Sequence, residues 1–583
     1  MTVHHTLTAG QFLTSSVGPA NIFTREDLSD EQRLFGQAAA EFMRGEVLPR
    51  EQQIYAHDWA VTRELLRKAA ELDLLRLEIP TTYGGLGLDK ISAAYVGEQI
   101  ALNPSFGGSL GAHTIIGTLP LVYFGTDEQK ARYLPRLASA QLIGAYALTE
   151  PQSGSDALAA RTTAVLDQDG RHYLLNGQKA WITNGGFADL FTVFAKVNGE
   201  RFTAFLVERG MGVVSGPDEK KLGLEGSSTT ALMLDNVRVP AANVLGTIGE
   251  GHKVAFNILN IGRVKLGTRN IAGAKLALGH AARYARERRQ FGRAIAQFGL
   301  IKQKLSEMAV RCYVGDAMVY RALGDVDRAL DAVDPGEGAQ VLKTIETFAV
   351  ECSINKVWTS ETLGWVTDEA IQVFGGNGYS REFPVERAYR DARITRIYEG
   401  TNEINRLIIP TRLLKQVPGV FTRDRGENAL ADLAQPARSH GVLAAERDLL
   451  ERAKRLAVEM LGQASASYGQ SLKDEQEALG HIADVIIEVY AMESAIVRTE
   501  KLVAARGETG CGVAIDIARV YASDAADRLT HSARQVLTTL AARENRTLPP
   551  GTVSRFLAHP GVDAITARRR IADAVVEVGK HPY

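Results

Sequence analysis

The sequence is poor in cysteine. Its 583 residues include three, Cys312, Cys352 and Cys511, which lie far apart and form no CxxC pair. This spacing excludes a disulfide framework and a cysteine zinc site, and it is typical of a protein in a reducing compartment. The twelve histidines are also scattered, without an HxxxH or HExxH pair. We therefore expect no metal site.

Long apolar runs and an excess of charge are missing as well. No uncharged apolar run reaches the ~20 residues that span a bilayer, and the N-terminus lacks a basic segment followed by an apolar one. The formal net charge is −1, which gives no sign of a nucleic-acid partner. We therefore expect a cytoplasmic protein that is at most peripheral to a membrane.

The periodicity of apolar residues changes twice along the chain. Residues 29–140 have a helical period, with capping-box spacings that start at Ser29 and Thr126. Short strand-like apolar segments follow from residue 145 and are separated by turn signals at 167–170, 176–177 and 198–199. Such strands favour a small antiparallel barrel or sandwich. After Gly249 long helical segments with short connections predict a four-helix bundle. Residues 417–419 and 424–436 read as a linker to further amphipathic helices.

These patterns predict a mainly α protein with a middle β domain. Four domains are expected: an N-terminal helical domain (1–140), a small β-barrel or sandwich (141–245), a four-helix bundle (246–415) and an additional C-terminal helical domain (416–583).

Two motifs near the first change of period suit a polar, planar ligand. The turn from Tyr146 to Asp156 holds hydroxyls, backbone donors and a glycine. Trp181 and Thr183 stand two residues apart, which places an indole and a hydroxyl on one face of a regular strand. The alternatives are a capped domain junction and a core tryptophan beside a turn.

Two further motifs end helical segments. Residues 286–292 contain several cations, which either complement a helix dipole or bind a pyrophosphate, with Phe291 packing on an adenine or flavin. Residues 375–378, reading Gly-Gly-Asn-Gly, are either a helix C-cap or a phosphate cradle.

The stretch from Arg390 to Arg406 is dense in arginine, which favours planar anions. It holds Glu399 between Tyr398 and Gly400, and glycine permits a turn with positive φ. A carboxylate on such a turn, shielded from water, could serve as a general base near neutral pH. The alternative is a solvated glutamate at a helix start.

In their order and spacing, these motifs resemble the acyl-CoA dehydrogenase family from about Glu31 to Lys415. The matching segments are YALTEP from Tyr146, WITNG from Trp181, KLG from Lys221, ERRQFG from Glu287, QVFGGNGY from Gln372 and YEGTNEI from Tyr398. The resemblance implies FAD as the cofactor, lying between the β domain and the bundle. The chain beyond Lys415 is similar to the extra helical domain of the very-long-chain branch.

The resemblance also implies the site residues. Cofactor contacts are expected at Tyr146, Leu148, Thr149, Ser155, Trp181, Thr183, Arg288, Gln290, Phe291, Gln372, Gly376, Thr401 and Glu403. Substrate contacts are expected at Ser155, Asn260, Arg263 and Gly400, with Arg263 helping to hold the CoA moiety. In the family, the positions of Arg288, Gln290, Phe291, Gln372 and Gly376 contact FAD across a subunit interface.

Glu399 matches the catalytic base of the family. A thioester α-proton is a weak acid, so its removal needs a desolvated carboxylate and stabilisation of the developing enolate. The implied reaction converts acyl-CoA to trans-2-enoyl-CoA in fatty-acid β-oxidation, with a hydride passing to flavin N5. Some members carry the base near Gly262, but residues 261–265 contain no carboxylate. The arginines before Tyr398 are then expected to brace the turn.

Partners and substrate length follow from the same resemblance. An electron-transfer flavoprotein is the expected electron acceptor, with an oxygen-using acyl-CoA oxidase as the near alternative. A non-catalytic assembly or scaffold protein of the same fold is a further alternative. Gly107, Gly108 and Gly111 predict a widened acyl pocket and thus long-chain substrates.

The C-terminal helical domain allows two interpretations. In the first, the domain packs against the bundle and covers surface that shorter relatives bury by forming tetramers, so this protein would form a homodimer. Alternatively, an amphipathic helix over residues 442–468, with basic residues Arg447, Arg452, Lys454 and Arg455, would contact a membrane peripherally.

Overall fold

The structure is a computed structural model that describes residues 10–334, 337–417, 420–421 and 440–583. The chain forms two compact units. The first, here called the sheet unit, comprises Leu28–Arg269 and Ala329–Glu346. The second, here called the bundle unit, comprises Met1–Asp27, Asn270–Arg328 and Thr347–Tyr583.

The sheet unit begins with helices. They are α1 (Asp30–Phe42), α2 (Glu51–Tyr55), α3 (Trp59–Glu71), α4 (Lys90–Ile100), α5 (Pro104–Gly111), α6 (Leu119–Phe124) and α7 (Asp127–Ala138). Capping boxes start α1 at Ser29 and α7 at Thr126, because each hydroxyl accepts from the N3 backbone and each N3 glutamine bonds back to the cap residue. A π-helix, Ala112–Gly117, continues α5.

An eight-stranded sheet follows. Its strands are β1 (Gly144–Ala147), β2 (Thr163–Leu166), β3 (His172–Thr183), β4 (Leu190–Val197), β5 (Arg201–Glu208), β6 (Val214–Asp218), β7 (Thr229–Pro240) and β8 (Val244–Leu245). The order is β6-β7-β3-β2-β4-β5-β8, with β1 also beside β4. The prediction of an antiparallel sheet is wrong for two pairings, since β1 and β2 both run parallel to β4.

One predicted turn of this sheet is wrong. Asn176-Gly177 lies inside β3, where the pairing with β7 shifts register between Leu175 and Gly177. The side chain of Asn176 accepts from Asn236 N at 2.8 Å and donates to its side-chain oxygen at 3.2 Å. Cross-strand bonds therefore hold the segment extended. The turns at 167–170 and 198–199 are confirmed as hairpin connections.

Long helices make up the bundle unit, together with a short hairpin. The helix α8 (Gly251–Glu287) starts in the sheet unit and leads into β9 (Arg289–Gln290) and β10 (Arg293–Ala294). The next helices are α9 (Gly299–Leu330), α10 (Gly338–Thr347), α11 (Ala349–Phe374), α12 (Pro384–Ala392) and α13 (Asn402–Gln416). Of these, α10 belongs to the sheet unit except for Thr347.

Among the described residues, five more helices follow in this unit: α14 (Ala444–Tyr468), α15 (Gln476–Arg506), α16 (Gly512–Arg543), α17 (Thr552–Phe556) and α18 (Ala564–Val578). Their apolar faces form a core in which Leu449, Leu456, Ile486 and Leu529 are fully buried. Across the described ranges, none of the helices has the length and apolarity that a bilayer crossing requires. The predicted linker at 418–419 and 424–436 lies outside the described residues.

The basic residues of α14 are engaged within the bundle unit. Lys454 is buried and pairs with Glu493. Arg447 pairs with Glu500 and donates to the Val17 carbonyl at 3.0 Å. Arg452 donates to two backbone carbonyls at 2.9 and 2.6 Å. The membrane interpretation required these cations on an exposed face, so their positions support the packing interpretation instead.

Candidate active site

In the sheet unit, the predicted flavin residues start at the end of β1. Tyr146 is buried, its ring meets Phe194 edge-on at 5.1 Å, and its hydroxyl donates to the Ala255 carbonyl at 3.4 Å. Leu148 and Thr149 follow and are half-buried. The carbonyl of Thr149 accepts from the backbone N–H of Ala180 at 2.9 Å, which places Thr149 beside the strand position that precedes Trp181.

Trp181 lies in an irregular part of β3. The register with β7 shifts between Lys179 and Ile182, and Trp181 has φ 60°. A non-glycine residue in the left-handed region is strained, and such residues cluster at functional sites. Its indole is 59% exposed. Ile182 is buried, whereas Trp181 is exposed and Thr183 half-buried, so the burial pattern agrees with the prediction that these two residues share one face of the strand.

A buried ion pair that the sequence reasoning missed supports these segments. Lys179 Nζ lies 2.7 Å from Glu150 Oε1, and both side chains are buried. Burial lowers the pKa of Lys179 to about 8. Burial alone would raise the pKa of Glu150, but the ammonium outweighs it and lowers that pKa. The sequence carries no strong signal for this pair, since β3 also holds the polar residues Asn176, Gln178 and Thr183.

Glu150 also fixes the turn that carries Ser155. Its carboxylate accepts from the backbone N–H groups of Arg161 at 2.6 Å and Thr162 at 3.1 Å. Its backbone exchanges two hydrogen bonds of 3.0 Å with Ser153. Ser155 itself is exposed at the tip of this turn.

Asn260 and Arg263 lie one turn apart on α8, in the part of the helix that belongs to the sheet unit. Both are buried, and Arg263 Nη1 donates to Asn260 Oδ1 at 2.9 Å. The structure therefore brings these two predicted substrate residues into direct contact. Their role in holding CoA stays a prediction.

In the bundle unit, Arg288, Gln290 and Phe291 surround the hairpin of β9 and β10, and all three are exposed. The two turn residues, Phe291 and Gly292, have φ 51° and 79°, as a tight hairpin turn requires. The turn carries the Phe291 ring outwards, where it is 93% exposed.

Gln372 and Gly376 lie at the end of α11. Gly375 has φ 60° and its N–H bonds the Gln372 carbonyl, so the C-cap interpretation of the glycine run is confirmed. Asn377 donates to the Tyr284 hydroxyl at 3.0 Å. The carbonyl of Tyr284 accepts from Arg288 N at 2.8 Å. Tyr284 thus connects the glycine run to the start of the hairpin.

Glu399 and Gly400 form a turn with φ 59° and 79° before α13. The side chain of Asn405 donates to the carbonyls of Glu399, Gly400 and Thr401 at 3.4, 2.9 and 3.0 Å. Thr401 caps α13, since its hydroxyl accepts from Ile404 N at 3.3 Å. The half-buried Glu399 therefore occupies a left-handed position that its neighbours hold in place.

The arginines of this stretch bond to protein carboxylates. Arg406 binds both oxygens of Glu361 at 2.7 and 3.0 Å, and Asp484 at 2.8 Å. Arg390 binds Glu386 within α12. Arg390 therefore bonds within its own helix, and the bracing role of the arginines before Tyr398 stays a prediction.

The glycines of α5 do not all leave room for a ligand. A Cβ on Gly111 would lie 2.2 Å from Arg269 Nη1, and one on Gly107 would lie 3.2 Å from the Ile100 carbonyl. A Cβ on Gly108 would meet nothing within 4 Å. The widened-pocket argument therefore fails for Gly107 and Gly111, since a neighbouring side chain or backbone needs that space.

The chemistry of each half fits FAD. Trp181 offers an exposed indole in the same segment of the sheet unit as the hydroxyl residues Thr149 and Thr183, and these groups suit a planar ring system with polar edges. In the bundle unit, Arg288 offers a cation for a pyrophosphate and Phe291 an exposed ring for a base.

Comparison with known protein families finds four matches along the chain. They are "Acyl-CoA dehydrogenase, N-terminal domain" at residues 29–141, "Acyl-CoA dehydrogenase, middle domain" at 145–237, and "Acyl-CoA dehydrogenase, C-terminal domain" at 249–414 and again at 452–548.

Individual proteins match over most of their length. The chain is 43% identical to a probable acyl-CoA dehydrogenase of Bacillus subtilis over 98% of both chains. It is 38% identical to the mitochondrial very long-chain specific acyl-CoA dehydrogenase of Macaca fascicularis, over 76% of this chain and 70% of the relative. A crystal structure of an acyl-CoA dehydrogenase complexed with FAD from Bacillus anthracis superposes with a TM-score of 0.94 at 39% identity, covering 99% of this chain and 100% of the other.

Proposed function

Because the chain belongs to the acyl-CoA dehydrogenase family, we propose that it converts long-chain acyl-CoA to trans-2-enoyl-CoA in fatty-acid β-oxidation, with Glu399 as the base. Its enzyme class, acyl-CoA dehydrogenase, and its cofactor, FAD, are those of the family. The long-chain preference is supported by the relatives of the very-long-chain type.

The observation that carries the assignment of the base is the turn at Glu399. Its backbone is held by Asn405 and by the cap at Thr401, so the turn that carries the carboxylate has a defined conformation. A general base works best when it is positioned before the substrate arrives. In this proposal, Glu399 removes the α-proton of the thioester. FAD, when bound, accepts the hydride from the β-carbon.

The other residues act by positioning. Thr149, Trp181 and Thr183 would hold the flavin ring, and Tyr146, Leu148 and Ser155 would line it from the same unit. Asn260 and Arg263 would bind the CoA moiety, and Gly400 would lie against the thioester. In the bundle unit, the positions expected to contact FAD are Arg288, Gln290, Phe291, Gln372, Gly376, Thr401 and Glu403.

We propose a homodimer in which a second subunit covers the hairpin region. Phe291, Tyr379 and Leu300 are 93%, 90% and 75% exposed, and large exposed apolar side chains of this kind often mark interfaces. Residues 440–583 would then have the packing role. An electron-transfer flavoprotein is the proposed electron acceptor, and the cytoplasmic location stays a prediction from the sequence.

A flavin spectrum of the purified protein, followed by anaerobic titration with butyryl-, octanoyl- and palmitoyl-CoA, tests the proposal. We expect a bound flavin that acyl-CoA bleaches, most effectively palmitoyl-CoA. A preference for octanoyl-CoA would contradict the long-chain assignment. If hydrogen peroxide forms in air at the rate of turnover, the electron acceptor is oxygen and not an electron-transfer flavoprotein.

A further inference from the structure

The helix that follows the proposed base contains a break in its backbone hydrogen bonding. Pro410 lies inside α13, about two turns from its start, and is buried. Proline has no backbone N–H, so the bond that would join residue 410 to the carbonyl of Arg406 is missing. The first turns of α13, which directly follow the turn of Glu399, therefore depend more on side-chain contacts to keep their place in the bundle unit.

Two side chains of these first turns bind the same carboxylate on α11. Asn402 and Arg406 are four residues apart and so lie on one face of α13. Arg406 donates to both oxygens of Glu361 at 2.7 and 3.0 Å. Asn402 donates to Glu361 Oε1 at 3.0 Å. Burial alone would raise the pKa of Glu361, but Arg406 outweighs burial and lowers that pKa, so the group is a carboxylate at neutral pH.

Asn402 is held by α11 from both ends of its amide. The residue is buried, and its Oδ1 accepts from Lys356 Nζ at 2.6 Å. Its Nδ2 donates to Ser360 Oγ at 3.1 Å. Since Asn402 directly follows the cap residue Thr401, these bonds fix the point at which the turn of Glu399 passes into α13.

The C-terminal helices contribute a second carboxylate to this arrangement. Arg406 Nε donates to Asp484 Oδ1 at 2.8 Å, and Asp484 lies on α15. The guanidinium of Arg406 is thus bound to one carboxylate of α11 and one of α15. A planar guanidinium with donors bound on two sides has a fixed orientation, which an ammonium at the same place would lack. All of these residues belong to the bundle unit.

These contacts form a continuous path from α15 to the backbone of the proposed base. Asp484 binds Arg406, which shares Glu361 with the start of α13. That start follows the turn of Glu399 and Gly400 with only the cap residue between them. A misplacement of about 1 Å can reduce the rate of a catalysed step about a hundredfold. Contacts that hold α13 can therefore affect proton removal without touching the substrate.

We propose that Arg406 is a positioning residue for the base, and that Asp484 gives α15 a part in the reaction by fixing Arg406. The inference rests on the proposed function, because it takes Glu399 as the base. It adds a contribution to the reaction rate to the packing role proposed for residues 440–583. It assigns no contact with the substrate to Arg406 or to Asp484.

The test measures the rate of flavin bleaching per bound flavin after rapid mixing of the holoenzyme with palmitoyl-CoA. At saturating substrate, Arg406→Met should bleach at least about tenfold more slowly than the wild type. The concentration of palmitoyl-CoA that gives half the maximal rate should stay within about threefold, because a positioning residue acts on the chemical step. A smaller loss of rate at saturation would overturn the inference.

A double-mutant cycle tests the part of α15. Asp484→Asn should slow bleaching by about threefold to tenfold in the wild type and should have no further effect in Arg406→Met. Equal slowing in both backgrounds, or no slowing in the wild type, would show that Asp484 does not act through Arg406. Arg406→Lys, which keeps a cation but loses the forked donors, replaces Arg406→Met in both experiments if that variant fails to fold.

Arg528→Met is the matched control. Arg528 lies on α16 and donates to both oxygens of Glu488, on α15, at 2.7 and 2.9 Å. It is therefore a second two-bond ion pair of the bundle unit, and neither partner lies on α11 or α13. Arg528→Met should lower the stability in urea but bleach at the wild-type rate. If it slows bleaching as much as Arg406→Met does, the effect is a general loss of packing and the inference is wrong.

The two proposals fail in different ways. If Glu399→Gln bleaches at a near-normal rate, the assignment of the base is wrong, and the positioning role is wrong with it. If Glu399→Gln loses bleaching while Arg406→Met keeps a near-normal rate, only the inference about Arg406 and Asp484 is wrong.

Discussion

Two buried clusters, one in each unit, each place two cations on one glutamate and differ in their surroundings. In the bundle unit, Glu493 pairs with Lys454 and Arg321, and all three side chains are buried. Arg321 also donates to Ser494 Oγ at 3.1 Å, and Lys454 to the Ser15 carbonyl at 2.8 Å. Both cations of this cluster therefore also bind a further protein group.

In the sheet unit, Glu78 pairs with Lys90 and Lys265. Lys90 also donates to the Tyr123 hydroxyl at 2.8 Å, and Lys265 lies on the wall of a small cavity together with Thr268 and Arg269. The contrast teaches that a buried charge cluster is not by itself a sign of function.

The comparison predicts the largest effect outside both clusters, at Glu399. Two cationic partners occupy the oxygens of Glu78 and of Glu493, so neither is suited to be the base. Glu399→Gln should keep FAD but slow substrate-dependent bleaching by about 10⁴-fold, the upper end of what a general base contributes. Rapid mixing with acyl-CoA measures the rate, and Glu382→Gln, an exposed carboxylate of the same unit, is the control. Near-normal bleaching by the Glu399 variant would refute the base assignment.

Removing the carboxylate from the Glu493 cluster of the bundle unit should chiefly affect stability. Glu493→Gln leaves two buried cations without their carboxylate, and such a change costs about 3–5 kcal/mol in the free energy of unfolding. Urea unfolding measures the loss, and the bleaching rate per bound flavin should not change. Lys302→Met breaks an ion pair with the largely exposed Asp573 and should cost about 1 kcal/mol or less. Equal losses in the free energy of unfolding in the two variants would contradict the view that the Glu493 cluster stabilises the fold.

A pH series sharpens the comparison, because one carboxyl group in each unit contributes to the free energy of unfolding and the two contributions change in opposite directions with pH. Glu351 is buried in the bundle unit and accepts from Gly10 N at 2.7 Å. Burial raises its pKa from 4.5 to about 7. The folded state thus keeps a proton that the unfolded state releases, so this stabilisation is complete below pH 4.5 and is lost as the pH rises through 7.

Glu351→Gln should therefore gain stability relative to the wild type, by about 3 kcal/mol between acidic and alkaline pH. Glu78 supplies the opposite case: its folded pKa of about 2 lies below 4.5. Its contribution is present above pH 4.5 and is lost as the pH falls towards 2. Urea unfolding of the wild type, Glu351→Gln and Glu78→Gln across this range measures both slopes. A pH-independent difference between the wild type and Glu351→Gln would show that Glu351 ionises normally.

The sequence by itself determined the features that depend on near neighbours. The capping boxes at Ser29 and Thr126, the hairpin turn at 198–199 and the glycine C-cap at Gly375 were all predicted correctly. Each needs contacts within a few residues, so the local pattern contains the physical cause. The order of the family motifs also identified the reaction class and the cofactor.

Only the tertiary structure decided which polar residues are partners. Lys265 and Glu78 are 187 positions apart, and Lys179 and Glu150 are 29 apart, so no local period relates them. The same holds for Gly111, whose missing side chain makes room for Arg269. It also holds for Asn176-Gly177, where a turn was predicted and cross-strand hydrogen bonds instead hold the segment in a strand. Burial and charge pairing depend on which segments meet in space, and that is set by the packing of the whole chain.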